Sequence, residues 1–138
     1  MNIEYVSKKV VDYLAGDKFY KEPIKTLEDY LCMDGFEEML VPDFINRYEK
    51  TNSDPNAWQE VNELYDVIKL YICEWLITLL QEQGNEIEEY NNLDDEDKKE
   101  VIYSACDIML EATKSQLIKE YEAKRDIWQR EPLLKGVH

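Results

Sequence analysis

The stretch from Asp54-Pro55 to Gly84-Asn85 limits what this chain can become more than any other feature. An Asp at the N-cap with Pro at the first helical position is a strong helix start, because Asp accepts a free amide and Pro has none to waste. Gly-Asn is a natural stop. One helix is therefore predicted over about 55–83. Val61, Leu64, Ile68, Tyr71, Trp75 and Leu79 give it a core face, and from Tyr71 to Leu80 it is apolar almost all round. A helix that is apolar on every side is buried on every side, so this helix is expected at the centre of the fold.

The remaining segments supply helices to surround it. Ile3, Val6, Val10 and Leu14 recur at three- and four-residue spacing and predict a helix over 2–15, with Gly16 as its stop. Lys18, Lys21 and Lys25 read as a connector closed by Pro23, and Thr26 with Asp29 as a capping-box start. Asp34-Gly35 breaks that helix. Another begins at Phe36, and Pro42 is expected to bend or restart it. Ile87–Tyr90 reads as a single turn in an acidic linker. A last helix is predicted from Asp94 or Asp95 to Glu131, stopped by Pro132. Only four Gly and four Pro occur in 138 residues, which leaves little material for hairpins. The fold class that follows is all-α: a compact bundle of four to six helices around the 55–83 helix, with a long C-terminal helix over about 94–131. Residues 1–131 form one domain, and 132–138 form a short tail.

The last helix carries an apolar seam at Tyr103, Cys106, Leu110, Leu117, Tyr121 and Trp128, close to coiled-coil spacing. Either another helix of the same chain covers it, or Leu117, Tyr121 and Trp128 form a homodimer or partner contact.

Cys32, Cys73 and Cys106 form no CxxC pair and read as free thiols of a reducing cytosol, with Cys73 and Cys106 as small core residues. The N-terminus lacks a signal-peptide pattern, and the apolar run Ile68–Leu80 is too short and too charged to span a membrane. The expected location is the cytoplasm, that of a host cell if the protein is viral.

Charge is regional. Residues 28–100 sum to −16, whereas the rest of the chain sums to about zero. Two segments carry most of it, Glu28–Glu49 at −6 and Glu82–Glu100 at −7. Such a field attracts cations and basic proteins, and repels nucleic acid and anionic membranes.

The sole histidine is His138, the final residue. Ser-His and Cys-His nucleophilic chemistry, histidine zinc sites and histidine acid–base work are thereby excluded. There is no Gly-rich phosphate loop and no basic patch. What remains for catalysis is carboxylates with a divalent metal. Asn52, Asp54, Asn56 and Glu63 have the 1-3-5-12 spacing of a calcium loop, but Ala57 stands where that loop needs Gly. Glu60, Glu63 and Asp66 lie at three-residue steps, near enough on a helix to share magnesium. The run Glu63-Leu64-Tyr65-Asp66-Val67-Ile68, followed by Leu79–Gly84, resembles the second metal helix of the all-α MazG-type nucleotide pyrophosphatases. The resemblance implies a magnesium-dependent enzyme in which Glu63 and Asp66 match the ExxD pair. The family's first ExxE pair has no counterpart here.

The leading expectation is a non-enzymatic acidic binding protein without a cofactor. Its partner is a basic protein, in particular one that binds nucleic acid, and its role is inhibition. A helical surface studded with carboxylates can imitate the closely spaced charge of duplex DNA. Antirestriction and anti-CRISPR DNA mimics of phages work on this physical principle, and immunity proteins bind basic nucleases in the same way. The candidate partner-binding residues are Glu86, Glu88, Glu89, Asp94, Asp95, Asp97, Glu100, Asp107 and Glu111, with Glu37 and Glu38. Tyr20, Tyr30, Tyr48, Tyr65 and Tyr90 interleave with the acids as candidate contact anchors.

Overall fold

Asn2 accepts the Tyr5 amide and opens the first helix, α1 (Ile3–Leu14). In the computed structural model, residues 2–136 are described, with side chains to Trp128. The chain continues through α2 (Gly16–Lys21), α3 (Pro23–Leu31), α4 (Phe36–Lys50), α5 (Trp58–Gln83), α6 (Glu88–Asn91) and α7 (Asp95–Gly136). Short 3₁₀ turns at Pro55–Ala57 and Gly84–Glu86 bracket α5, and no strand occurs among the described residues. The all-α class is as expected, with seven α-helices among the described residues rather than four to six.

The additional helix comes from the lysine segment. Gly16 does end α1, adopting φ +69°. The segment read as a connector then coils as α2, burying Phe19 completely. Pro23 is the first residue of α3, not the end of a connector. Thr26, expected as a cap, is buried inside α3. Proline suits a first helical turn because its missing N–H would be unpaired there anyway. Phe19, Ile24 and Leu27 then reach the core together.

Two prolines expected to interrupt helices do not. α4 runs unbroken through Pro42. α7 runs through Pro132 to Gly136, beyond the expected end at Glu131, so 132–136 belong to the helix rather than to a separate tail. An internal proline forfeits one backbone hydrogen bond. In α4 the anchoring of Phe36, Leu40 and Phe44 in the core outweighs that loss.

α5 and α7 share the centre. Both pack against α4 and α3, and α1 lies along the first half of α7. Val61, Leu64, Tyr65, Ile68, Ile72, Trp75, Leu76 and Leu80 place one side of α5 in the core. Val101, Ala105, Met109, Leu117 and Tyr121 do the same for α7. Each fully buried aliphatic side chain of this size contributes roughly 1.5–3 kcal/mol. An aromatic cluster ties the far end together: Tyr48 contacts Phe44, Trp58 and Tyr121, with ring centroids 5.1, 5.5 and 4.7 Å apart.

The expectation that α5 is buried on every side from Tyr71 to Leu80 fails at Ile77, which is exposed, and Val67 and Leu70 just before that stretch are exposed as well. None of the described residues packs over that side. No helix among the described residues is long and apolar enough to cross a membrane.

Candidate partner-binding face

α5 and α7 run antiparallel. Lys114 lies 4.6 Å over the Tyr65 ring, Lys69 Nζ is 3.3 Å from Asp107 Oδ1, and Cys73 Sγ is 2.7 Å from Cys106 Sγ. These contacts set the exposed side of each helix next to that of the other.

On α5 this outer face carries Glu63, Asp66, Leu70, Glu74 and Ile77, at steps of three and four residues and all exposed. On α7 it carries Glu96, Glu100, Tyr103, Asp107 and Glu111, again at three- and four-residue steps and all exposed. From Glu96 to Glu111 the α7 stripe is about 22 Å long, at ~1.5 Å per residue. The Lys69–Asp107 ion pair links the two stripes, and its hydrogen bond raises the Lys69 ammonium above its ordinary range. Glu111 is paired with Lys114 at 3.3 Å, whereas Glu96 and Glu100 have no ion-pair partner among the described residues. Leu70, Tyr103 and Ile77 are 65%, 63% and 43% exposed in the midst of these carboxylates.

The acids before α7 form an adjoining cluster. Asp94 accepts the Asp97 amide at 2.8 Å and caps α7, while Asp95 and Asp97 sit in its first turn, where the positive helix end favours them. Glu88 is exposed. Glu86 and Glu89 are engaged by α1: the Tyr13 hydroxyl donates to the Glu86 carboxylate, and Lys9 Nζ lies 3.4 Å from Glu89. That hydrogen bond raises the Tyr13 phenol, and Glu89 is lowered first by its own amide and then by Lys9.

Glu37 and Glu38 are not part of this face. Glu37 lies within the field of Glu28 and Glu120, and burial first, then their repulsion, raises its carboxyl. Asp95 and Glu120 are on the order of 37 Å apart along α7, at ~1.5 Å per residue. Glu37 of the first acidic segment therefore sits far along α7 from the acidic cluster at its start.

The structure corrects the seam on α7. Leu117 and Tyr121 are 0% and 2% exposed in this chain's own core, so neither is available to a second copy or a partner. α4 packs against α7, and the Tyr121 hydroxyl bonds Glu49 of α4 and Asn52 just beyond its end. Trp128 remains exposed, beside a groove of about 440 Å³ lined also by Val41, Pro42 and Ile45 of α4.

The candidate metal carboxylates do not converge. Glu60 lies 3.6 Å from Lys50, and Glu63 and Asp66 belong to the outer face of α5. Among the described residues no group of three or more His, Cys, Asp or Glu is placed to hold a metal ion. In the calcium-spaced segment Asp54 is a helix cap, accepting the Asn56 amide at 2.9 Å.

Of the tyrosines expected as anchors, Tyr20 and Tyr30 are exposed, Tyr48 is half-buried, and Tyr65 and Tyr90 are buried. Tyr103, expected in the apolar seam of the last helix, is exposed, and so are Tyr5, Tyr13, Leu70 and Ile77, for which the sequence carries no expectation of a contact role. A signal for the last two existed: Glu63, Asp66 and Glu74 share their helical face, and ionised carboxylates keep a face in water. The chain matches no protein-family model, no curated protein and no solved structure.

Proposed function

We propose that this chain is a non-enzymatic acidic binding protein whose α5–α7 face docks a basic protein and inhibits it by occupying the surface that would otherwise hold nucleic acid. The reading is supported by one observation above all: Leu70, Ile77 and Tyr103 stand exposed among Glu63, Asp66, Glu74, Glu100 and Asp107. Solubility alone accounts for carboxylates but gives no reason for large apolar side chains among them. A protein–protein interface calls for both, apolar anchors inside and a charged rim around them. The −16 of residues 28–100 supplies long-range attraction that speeds encounter with a basic partner.

The test uses a panel of purified basic DNA- and RNA-binding proteins from the source cell, with and without competing duplex DNA. At least one is expected to bind, to lose its nucleic acid in doing so, and to bind roughly tenfold more weakly when salt rises from ~0.05 to ~0.2 M. The variant Leu70→Ser/Tyr103→Ser, changed only at exposed positions, is expected to fold normally and bind poorly. Glu96→Gln/Glu100→Gln is expected to weaken binding at low salt and to reduce the salt dependence. The reading fails if no member of the panel binds, or if binding is indifferent to both variants.

A further inference from the structure

Beneath the outer face, Cys73 of α5 and Cys106 of α7 bring their sulfurs to 2.7 Å across 33 positions of sequence. Both are free thiols. Cys73 is half-buried and can be reached from solvent, whereas Cys106 is fully buried. The Lys69 carbonyl is 3.5 Å from Cys106 Sγ, and the Lys69 ammonium, held by Asp107, is the cation whose charge acts on this thiol. We propose that Cys73 and Cys106 are a reversible disulfide site that clasps α5 to α7, with a low-molecular-weight disulfide such as oxidised glutathione as oxidant.

Geometry carries the argument. A disulfide bond is about 2.0 Å long, so closure needs the sulfurs to approach by only ~0.7 Å, within the reach of small side-chain rotations on two helices already packed together. Exposure orders the steps. The Cys73 thiolate attacks one sulfur of the oxidant, which releases one glutathione thiolate and leaves a mixed disulfide on Cys73. Cys106 then gives up its proton to solvent and attacks Cys73 Sγ, displacing the second glutathione. Two protein thiols are oxidised by two electrons, one glutathione disulfide is reduced to two thiols, and the released thiolates take up the two protons. Burial raises the Cys106 thiol well above its ordinary range, so resolution by Cys106 is the slower step. The inference is independent of the docking proposal, although the clasp lies directly under the Lys69–Asp107 pair of that face.

The experiment uses the full chain with Cys32→Ser, which removes the exposed third thiol, equilibrated in glutathione buffers of increasing oxidation. Intact mass is expected to fall by two hydrogens, both thiols to become unreactive to an alkylating reagent, and reductant to reverse the change. Clasping two helices across this loop is expected to raise Tm on the order of 10 °C. Further replacement of Cys73 by Ser is expected to abolish the mass change. A protein that keeps two reactive thiols in oxidised glutathione, or that stops with one glutathione attached, overturns the proposal. Because the mass and alkylation readings on the Cys32→Ser protein need no substitution at the pair, they stand even if the Cys73 variant fails to fold.

Discussion

The Tyr121 hydroxyl donates a hydrogen bond to the Glu49 carboxylate, joining the end of α4 to the second half of α7. The Asn52 amide donates to the same hydroxyl at 2.9 Å, and the Tyr121 ring sits edge-on to Tyr48 at 4.7 Å. Tyr121→Phe keeps the ring packing and removes the polar link, and is expected to cost about 1–2 kcal/mol. Tyr121→Ala removes both and is expected to cost about 3–5 kcal/mol. Urea unfolding of the two variants checks the order. Light scattering is expected to show no change of oligomeric state on Tyr121→Phe, because the residue is interior.

Alkaline stability is expected to run through Tyr65. Burial first, then the proximity of Tyr48 and Glu111, pushes its phenol up to about 12 from an ordinary 10. The folded state thus holds this proton more tightly than the unfolded chain does. The associated stability is present in full below pH ~10 and is lost as pH rises through ~12, to a total of up to about 2 kcal/mol. Tyr65→Phe has no phenol to ionise, so its loss of stability between pH 10 and 12 is expected to be smaller than that of the natural protein. Thermal melts across that range make the comparison.

The α3–α4 corner stores backbone strain. Cys32 caps α3 at φ +52°, in the left-handed region that glycine tolerates best. Cys32→Gly is expected to stabilise the protein by about 0.5–1 kcal/mol. Gly35 has φ +82° with open space around it, so Gly35→Ala is expected to destabilise by roughly 1 kcal/mol through backbone conformation alone. Opposite signs of midpoint shift in urea test the pair.

Glu37 is a misplaced charge. Its raised carboxyl means that ionisation works against folding, so its favourable contribution exists below the unfolded carboxylate range and is lost as pH rises through the folded value. Glu37→Gln is expected to raise the urea midpoint at pH 7 and to leave it nearly unchanged at pH 3.5. Added salt is expected to narrow the difference between the two proteins, since repulsion from Glu28 and Glu120 is screened.

Periodicity and punctuation made the helical class legible, along with the start and stop of α5, the cap of α7 at Asp94 and the single turn of α6. These depend on neighbours within a few positions, and local chemistry decides them. Pro42 does not break α4, because core anchors on either side outweigh its local penalty, and that balance is not visible in the neighbouring residues alone. The buried fate of Leu117 and Tyr121 was open in the sequence, because an apolar seam does not say which helix will cover it.

The sequence by itself determined an all-α chain with one markedly acidic region and a single histidine, at position 138. Only the tertiary structure decided that Leu117 and Tyr121 of the α7 seam are buried in this chain's own core and that α5 leaves Leu70 and Ile77 uncovered beside Tyr103. It alone placed Glu37 near Glu120, far along α7 from Asp95, and brought Cys73 to Cys106. The physical reason is range: helix formation is settled within a few residues, whereas the burial of a helix side and the company its side chains keep depend on segments distant in the chain.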